Sequence, residues 1–195
     1  VEKGWQMVAR SKSVYGPYEA RRVMDQGATT VNGPHQGAWV RTVAGEDWFL
    51  HFQDKGYVGR VVWLEPMMWK NGWPVIGEDA DNDGCGNPVL KYRKPKGCKS
   101  IVQNPIESDE FNTTDWGKQW QWHSNYQDLY GFTTPYGHTR LYTWPLSNQY
   151  VNLWETSNLF LQKFPSQTFT ATTKVKMVSK ENGQEGGLII MGWDY

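Results

Sequence analysis

The sequence predicts an all-β protein in two parts, and three observations carry that prediction. Aromatic residues are unusually frequent, with 12 Trp, 10 Tyr and 7 Phe among 195 residues, alongside 20 Gly and 10 Pro. Aromatic residues favour pleated, half-buried surfaces, while Gly and Pro punctuate turns. Strand-like runs occur in pairs separated by turn signals in the first half, and a strictly alternating run occupies the second. No stretch before residue 105 sustains helical periodicity.

The first pair of runs is Ala38 to Val43 and Trp48 to Gln53, joined by the polar, Gly-containing Ala44-Gly45-Glu46-Asp47. This reads as a hairpin. Gly59 to Glu65 is apolar and β-branched, and Asn71-Gly72 then sits between Trp69 and Trp73. An Asn-Gly pair flanked by strand formers is the strongest short-range hairpin signal, because both residues tolerate the positive φ of a type I′ turn. Repeated antiparallel segments of this kind suit propeller blades. Residues 91–105, KYRKPKGCKSIVQNP, are basic, Pro- and Gly-containing and carry little apolar pattern, which reads as a linker. The division expected is residues 1–97 for the first domain, 98–105 for the linker and 106–195 for the second. In the second part, Phe169, Ala171, Thr173, Val175 and Met177 alternate with Thr168, Thr170, Thr172, Lys174 and Lys176. That period predicts a half-buried antiparallel strand of a β-sandwich. Leu188 to Met191 begins what reads as a further strand close to the last residue, so the sandwich is expected to be incomplete.

Charge and apolar patterning exclude several classes. Lys+Arg and Asp+Glu both total 20, so there is no basic excess to neutralise a phosphate backbone, and nucleic acid is not an expected partner. No run approaches the roughly 20 apolar residues of a membrane-spanning helix, and no membrane partner is expected. Cys85 and Cys98 are too few for a disulfide framework and too far from other ligand types for a zinc site; free thiols are expected. The chain opens at Val1 without a charged-then-apolar leader, so the compartment has to be inferred indirectly.

From Arg10 the motifs "GPYE", "NGPHQGAWV", "WFLHFQDKG", "GRVV" and "NGWPVIG" resemble, in order and spacing, the last two blades of family 43 glycoside hydrolases. From Ser108, "SDEFN", "QWQWHSN", "LQKFP", "FTATT" and "GLIIMGWDY" resemble the concanavalin A-like sandwich appended to xylosidase-type members. The resemblance implies part of a five-bladed β-propeller followed by a truncated concanavalin A-like β-sandwich. It also implies a parent enzyme that releases xylose or arabinose from xylo- or arabino-oligosaccharide ends with inversion. Inversion needs a protonated acid and an ionised base roughly 6.5–9.5 Å apart, leaving room for the attacking water. By resemblance the two aspartates and the acid Glu of an "EGP"-type motif precede this chain; Glu2, not followed by Gly-Pro, reads as a loop residue. The chain is therefore expected to hold no catalytic carboxylate and to be inactive alone. A non-catalytic carbohydrate-binding protein using the same pocket is the alternative.

Two functional positions carry over by resemblance. His35, in Gly33-Pro34-His35-Gln36-Gly37, matches the family's central histidine, which lies beneath the sugar and in many members contacts a calcium ion or its waters. A lone His between Pro and Gln would otherwise read as a turn residue. Arg60, in Gly59-Arg60-Val61-Val62, matches the arginine that hydrogen-bonds substrate hydroxyls, where a bare arginine would read as a solvated charge. Trp5 follows the acid's position closely enough to line the pocket or to pack in the core. His51 and His123 read as structural. Asp79-Ala80-Asp81-Asn82-Asp83-Gly84 starts like a calcium loop but has Leu90 at the twelfth position, where a bidentate Glu is needed; the alternative is an acidic surface turn. Export, to the periplasm or outside the cell, goes with a polysaccharide substrate.

Overall fold

The computed structural model describes residues 4–99 and 101–192, so Glu2 and the last three residues of the C-terminal run lie outside the described residues. Among the described residues, ten strands and two short 3₁₀ turns make up the regular structure, and there is no α-helix. Among the described residues, no helix is long and apolar enough to cross a membrane. The chain divides into two compact units, Val1–Ile101 and Val102–Tyr195.

In the first unit, β1 (Gln6–Arg10) and β2 (Glu19–Met24) form an antiparallel hairpin. Next, β3 (His35–Arg41), β4 (Asp47–Asp54), β5 (Arg60–Lys70) and β6 (Trp73–Ile76) form a four-stranded antiparallel meander in chain order. This is the form of a propeller blade. The Asn-Gly turn is built as its sequence predicts, with Asn71 at φ 54° and Gly72 at φ 73°. Arg10 locks it to β1 by donating to the carbonyls of Asn71 (3.2 Å) and Gly72 (3.0 Å). The same guanidinium stacks 4.1 Å over the Trp73 ring.

The core forms where one face of the blade meets β2. Val23, Met24, Phe49, Met67, Trp73 and Ile76 are buried together, with Val8 packed against them. On that face, buried among apolar neighbours, lie the polar side chains of His51, Gln53 and Glu65. His51 Nε2 is 3.2 Å from Glu65 Oε1, both side chains wholly buried, and Glu65 Oε2 accepts the backbone N–H of Val89 at 2.8 Å. The pair ties β4 to β5 and both to the loop after β6, so His51 is structural, as its alternation on the strand suggests.

Glu46, in the β3–β4 turn, fixes the chain that follows the blade. Its carboxylate accepts from the backbone N–H of Lys96 (2.7 Å) and from Arg93 (2.6 Å), and Tyr92 packs edge-on to Trp48. The Lys96 N–H and the Arg93 guanidinium hold the Glu46 carboxyl below its ordinary value of 4.5, and Arg10 does the same for Glu19. Carboxyls depressed on folding contribute stability that is complete above the unfolded value and is lost as pH falls through the folded one. Thermal melts should therefore show a falling Tm as pH drops below about 4.5. Glu46→Gln should show a lower Tm at neutral pH and a smaller acid-induced fall. An unchanged Tm at neutral pH would remove Glu46 from this role.

In the second unit, β7 (Gln121–Trp122) pairs with β10 (Phe160–Leu161) and β8 (Gly131–Thr134) with β9 (His138–Leu141), both antiparallel. An aromatic cluster holds them: Trp120 stacks on Phe160 at 4.3 Å, and Trp122 lies 4.9 Å from the same ring. Asp109 caps the cluster by accepting from Trp120 Nε1 at 2.8 Å. His123 Nε2 lies 2.8 Å from the Trp154 carbonyl, a structural placement. The strand expected over Thr168 to Val178 is not formed. Residues 168–178 make no ladder, and Val175, Met177 and Val178 are exposed. Alternation specifies which face a strand would bury, but a strand exists only when a neighbour takes up its N–H and C=O groups, and none does so among the described residues.

Candidate functional site

The site region is set by a defect in the β3–β4 ladder. Ala38 pairs with Leu50, so regular alternation would place Gln36 opposite Phe52; instead His35 pairs with Phe52, one residue out of register. A bulge of this kind leaves an extra residue in one strand and re-aims its side chains. Gln36 takes φ 52° to make it, and Gly37 lets the strand close on β4. A Cβ at Gly37 would lie 2.1 Å from Phe49 Cε1, so only glycine fits beneath that ring. The "GPHQG" run thus has a physical reading: the bulge moves the histidine onto the Phe52 face of the blade.

On that face the structure brings His35 and Arg60 together through Phe52. The His35 ring meets the Phe52 ring edge-on at 5.3 Å between centroids. The Arg60 guanidinium lies 4.7 Å over the same phenyl ring. His35 Nδ1 is anchored 2.5 Å from the Gly33 carbonyl, which implies a proton on Nδ1 and leaves Nε2 as the nitrogen available to a ligand. Gly4 packs against the histidine, since a Cβ there would sit 3.2 Å from Nδ1. Gln6 Oε1 accepts the Gly37 N–H at 3.4 Å, tying β1 to the bulge.

Arg60 opens β5 directly opposite Asp54, the last residue of β4. The Gly56 N–H, donating at 3.0 Å, is the main influence holding the Asp54 carboxyl below its ordinary value, and the Arg60 charge adds only a small part. A carboxylate therefore faces the arginine across the β4–β5 ladder. A flat cation on an aromatic ring, a neighbouring carboxylate and an imidazole nitrogen form a set suited to grip vicinal hydroxyls. Trp5 is placed differently. The Arg22 guanidinium stacks 4.3 Å over the Trp5 ring, so a sugar approaching that side would have to displace it.

Phe52 is the member that sequence reasoning missed. It stands in an ordinary alternating strand, and only the bulge opposite it makes its ring a shared platform. No group of three potential metal ligands among the described residues includes His35. Calcium takes roughly six to eight oxygen ligands. One imidazole does not make that set, so His35 could meet such an ion only through water or with ligands from elsewhere. Both cysteines are free; burial, with Asp25 and Asp83 nearby, pushes the Cys85 thiol up to about 11, leaving it protonated.

Comparison with known proteins specifies the family. Residues 2–74 match the family described as glycosyl hydrolases family 43, and residues 108–195 match the β-xylosidase C-terminal concanavalin A-like domain. The chain belongs to glycosyl hydrolase family 43. It is 39% identical over 178 residues to a Xylanibacter ruminicola protein named "Putative beta-xylosidase", covering 91% of this chain and 33% of that one. It is 40% identical over 126 residues to a beta-xylosidase of Formosa agariphila, covering 62% and 21%. The chain thus spans about a third or less of the length of these curated relatives. A bifunctional GH43-CE protein of Bacteroides eggerthii superposes with a TM-score of 0.58 at 27% identity, over 80% of this chain and 19% of that one. The xylan β-1,4-xylosidase of Bacillus halodurans superposes with a TM-score of 0.65 over 82% and 32%; at 21% identity this shows the fold alone.

Proposed function

We propose that this chain supplies the sugar-holding, non-catalytic part of an inverting glycosidase that releases xylose or arabinose from the ends of xylo- or arabino-oligosaccharides. The observation that carries the reading is the convergence of His35 and Arg60 on the Phe52 ring, within a sequence of this family. In this reading the Arg60 donors hold ring hydroxyls at the subsite and His35 Nε2 lies beneath the sugar. Asp54 steadies Arg60. The acid, the base and the carboxylate that tunes the acid come from chain beyond these residues, where the relatives' additional length provides for them. Any calcium at the propeller centre would meet His35 through a bound water. Trp5 would line the pocket once Arg22 swings aside, and the assembled enzyme would work outside the cytoplasm.

The test compares two proteins on nitrophenyl β-xyloside and nitrophenyl α-arabinofuranoside. A gene product extended to the relatives' length should turn over at least one of them, and the 195-residue chain should match a buffer blank, because general acid and base are both missing. Turnover by the 195-residue chain would place catalytic groups within it and overturn the proposed division. An inactive extended protein that still binds xylo-oligosaccharide would overturn the glycosidase reading.

A further inference from the structure

The loop after β6 carries chemistry that the sugar site does not use. The carboxylates of Asp79, Asp81 and Asp83 offer ligand atoms that all lie within 4.8 Å of one another. Crowding of acids alone is common on surfaces, and an independent feature distinguishes this loop. The Asp79 side chain is only 7% exposed, and its Oδ1 is closed off from solvent with no hydrogen-bond partner among the described residues. Its other oxygen, Oδ2, is occupied: it accepts the Gly84 N–H at 3.2 Å, with the Lys70 ammonium 3.9 Å away. A buried carboxylate oxygen without a donor carries an uncompensated desolvation cost, which a bound cation removes.

We propose that residues 79–85 form a calcium site, with Asp79 Oδ1 as its buried anchor. Asp81 and Asp83 supply two further carboxylates, and the Cys85 carbonyl occupies the seventh position of the loop. Gly84, at φ 88°, makes the sharp turn that a side chain there would strain. Alternating oxygen ligands with a Gly at the sixth position suit a hard cation of flexible coordination number, hence calcium over magnesium, which keeps most of its water. Leu90 stands where a bidentate Glu would complete a high-affinity loop, so waters fill the remaining positions and affinity is modest, with Kd on the order of 10⁻⁴–10⁻³ M. Lys70 sets a second limit. Its ammonium, also 3.5 Å from Asn82 Oδ1, is a competing charge at the rim whose removal strengthens binding. The site lies at the periphery of the blade, not at its His35 end, and stands or falls separately from the proposed glycosidase function.

The experiment is terbium luminescence of the 195-residue chain, excited through Trp69 and Trp73, with displacement by calcium. The expected result is saturable, one-to-one displacement in the range given, with magnesium weaker. Asp81→Asn and Asp83→Asn are at exposed positions and leave the fold intact; each should weaken calcium by about tenfold or more. Lys70→Met should tighten it by up to about tenfold, as expected for deleting a unit charge some 4–5 Å from a divalent ion near the surface. Absence of saturable calcium binding up to about ten times the weaker Kd would overturn the proposal. So would affinities that stay within about twofold of the parent in both aspartate variants, since each removes a full ligand charge. Loss of calcium binding in Lys70→Met, with circular dichroism unchanged, would also overturn it, because the lysine would then be a support of the loop and not a competitor.

Discussion

Replacing Glu65 with alanine should destabilise the first unit by about 3–5 kcal/mol, the combined order of cost of leaving buried polar partners unsatisfied and opening a cavity. Three strands of argument give that size. The carboxyl is wholly buried, and both of its oxygens are engaged, one with His51 and one with the Val89 N–H. Truncation leaves two polar groups without a partner in a space closed to water. It also leaves a cavity beside Phe49 and Met67, which pack on the same face. Glu65→Gln keeps an acceptor for one donor and should cost clearly less. Urea unfolding followed by tryptophan fluorescence measures both. A cost below about 1 kcal/mol for the alanine variant would show that the pair is replaceable and that the loop after β6 is held by other contacts.

Arg60→Lys in the extended enzyme should lower kcat/KM by about 10²-fold or more, because a point ammonium cannot reproduce five directional donors in a fixed fork. The geometry adds a second reason. The flat guanidinium rests on the Phe52 ring at 4.7 Å, and an ammonium has no face with which to keep that position. Phe52→Leu should therefore produce part of the same loss while leaving Arg60 present, mainly by raising KM as the arginine loses its platform. An Arg60→Lys enzyme with unchanged kcat/KM would return Arg60 to the class of solvated charges.

The blade was legible in the sequence wherever local chemistry decides structure. Asn71-Gly72 demands its turn, and the polar Ala44 to Asp47 stretch bends as its composition suggests. What escaped reading depends on register, which one strand does not show about its neighbour. The His51–Glu65 pair joins residues 14 apart on different strands, and the Phe52 platform exists only because Gln36 and Gly37 shift His35 by one position. The Asp54 carboxylate beside Arg60 escaped for the same reason, since the two face each other across β4 and β5. The alternating run over Thr168 to Val178 errs in the opposite direction. Its pattern is that of a strand, but pattern supplies no partner, and among the described residues none pairs with it. The roles expected for His35 and Arg60 rest on resemblance alone; the structure adds that the two side chains share the Phe52 ring.

The stereochemistry of the first sugar released tests the central reading most directly. Proton NMR of the extended protein acting on nitrophenyl β-xyloside resolves the anomeric signals before mutarotation mixes them. The account predicts that α-xylose appears first, the outcome of a single displacement by water between an acid and a base. If the β-anomer appears first, the reaction proceeds through a glycosyl-enzyme intermediate, and the assignment of this chain to an inverting pentose-releasing enzyme is contradicted.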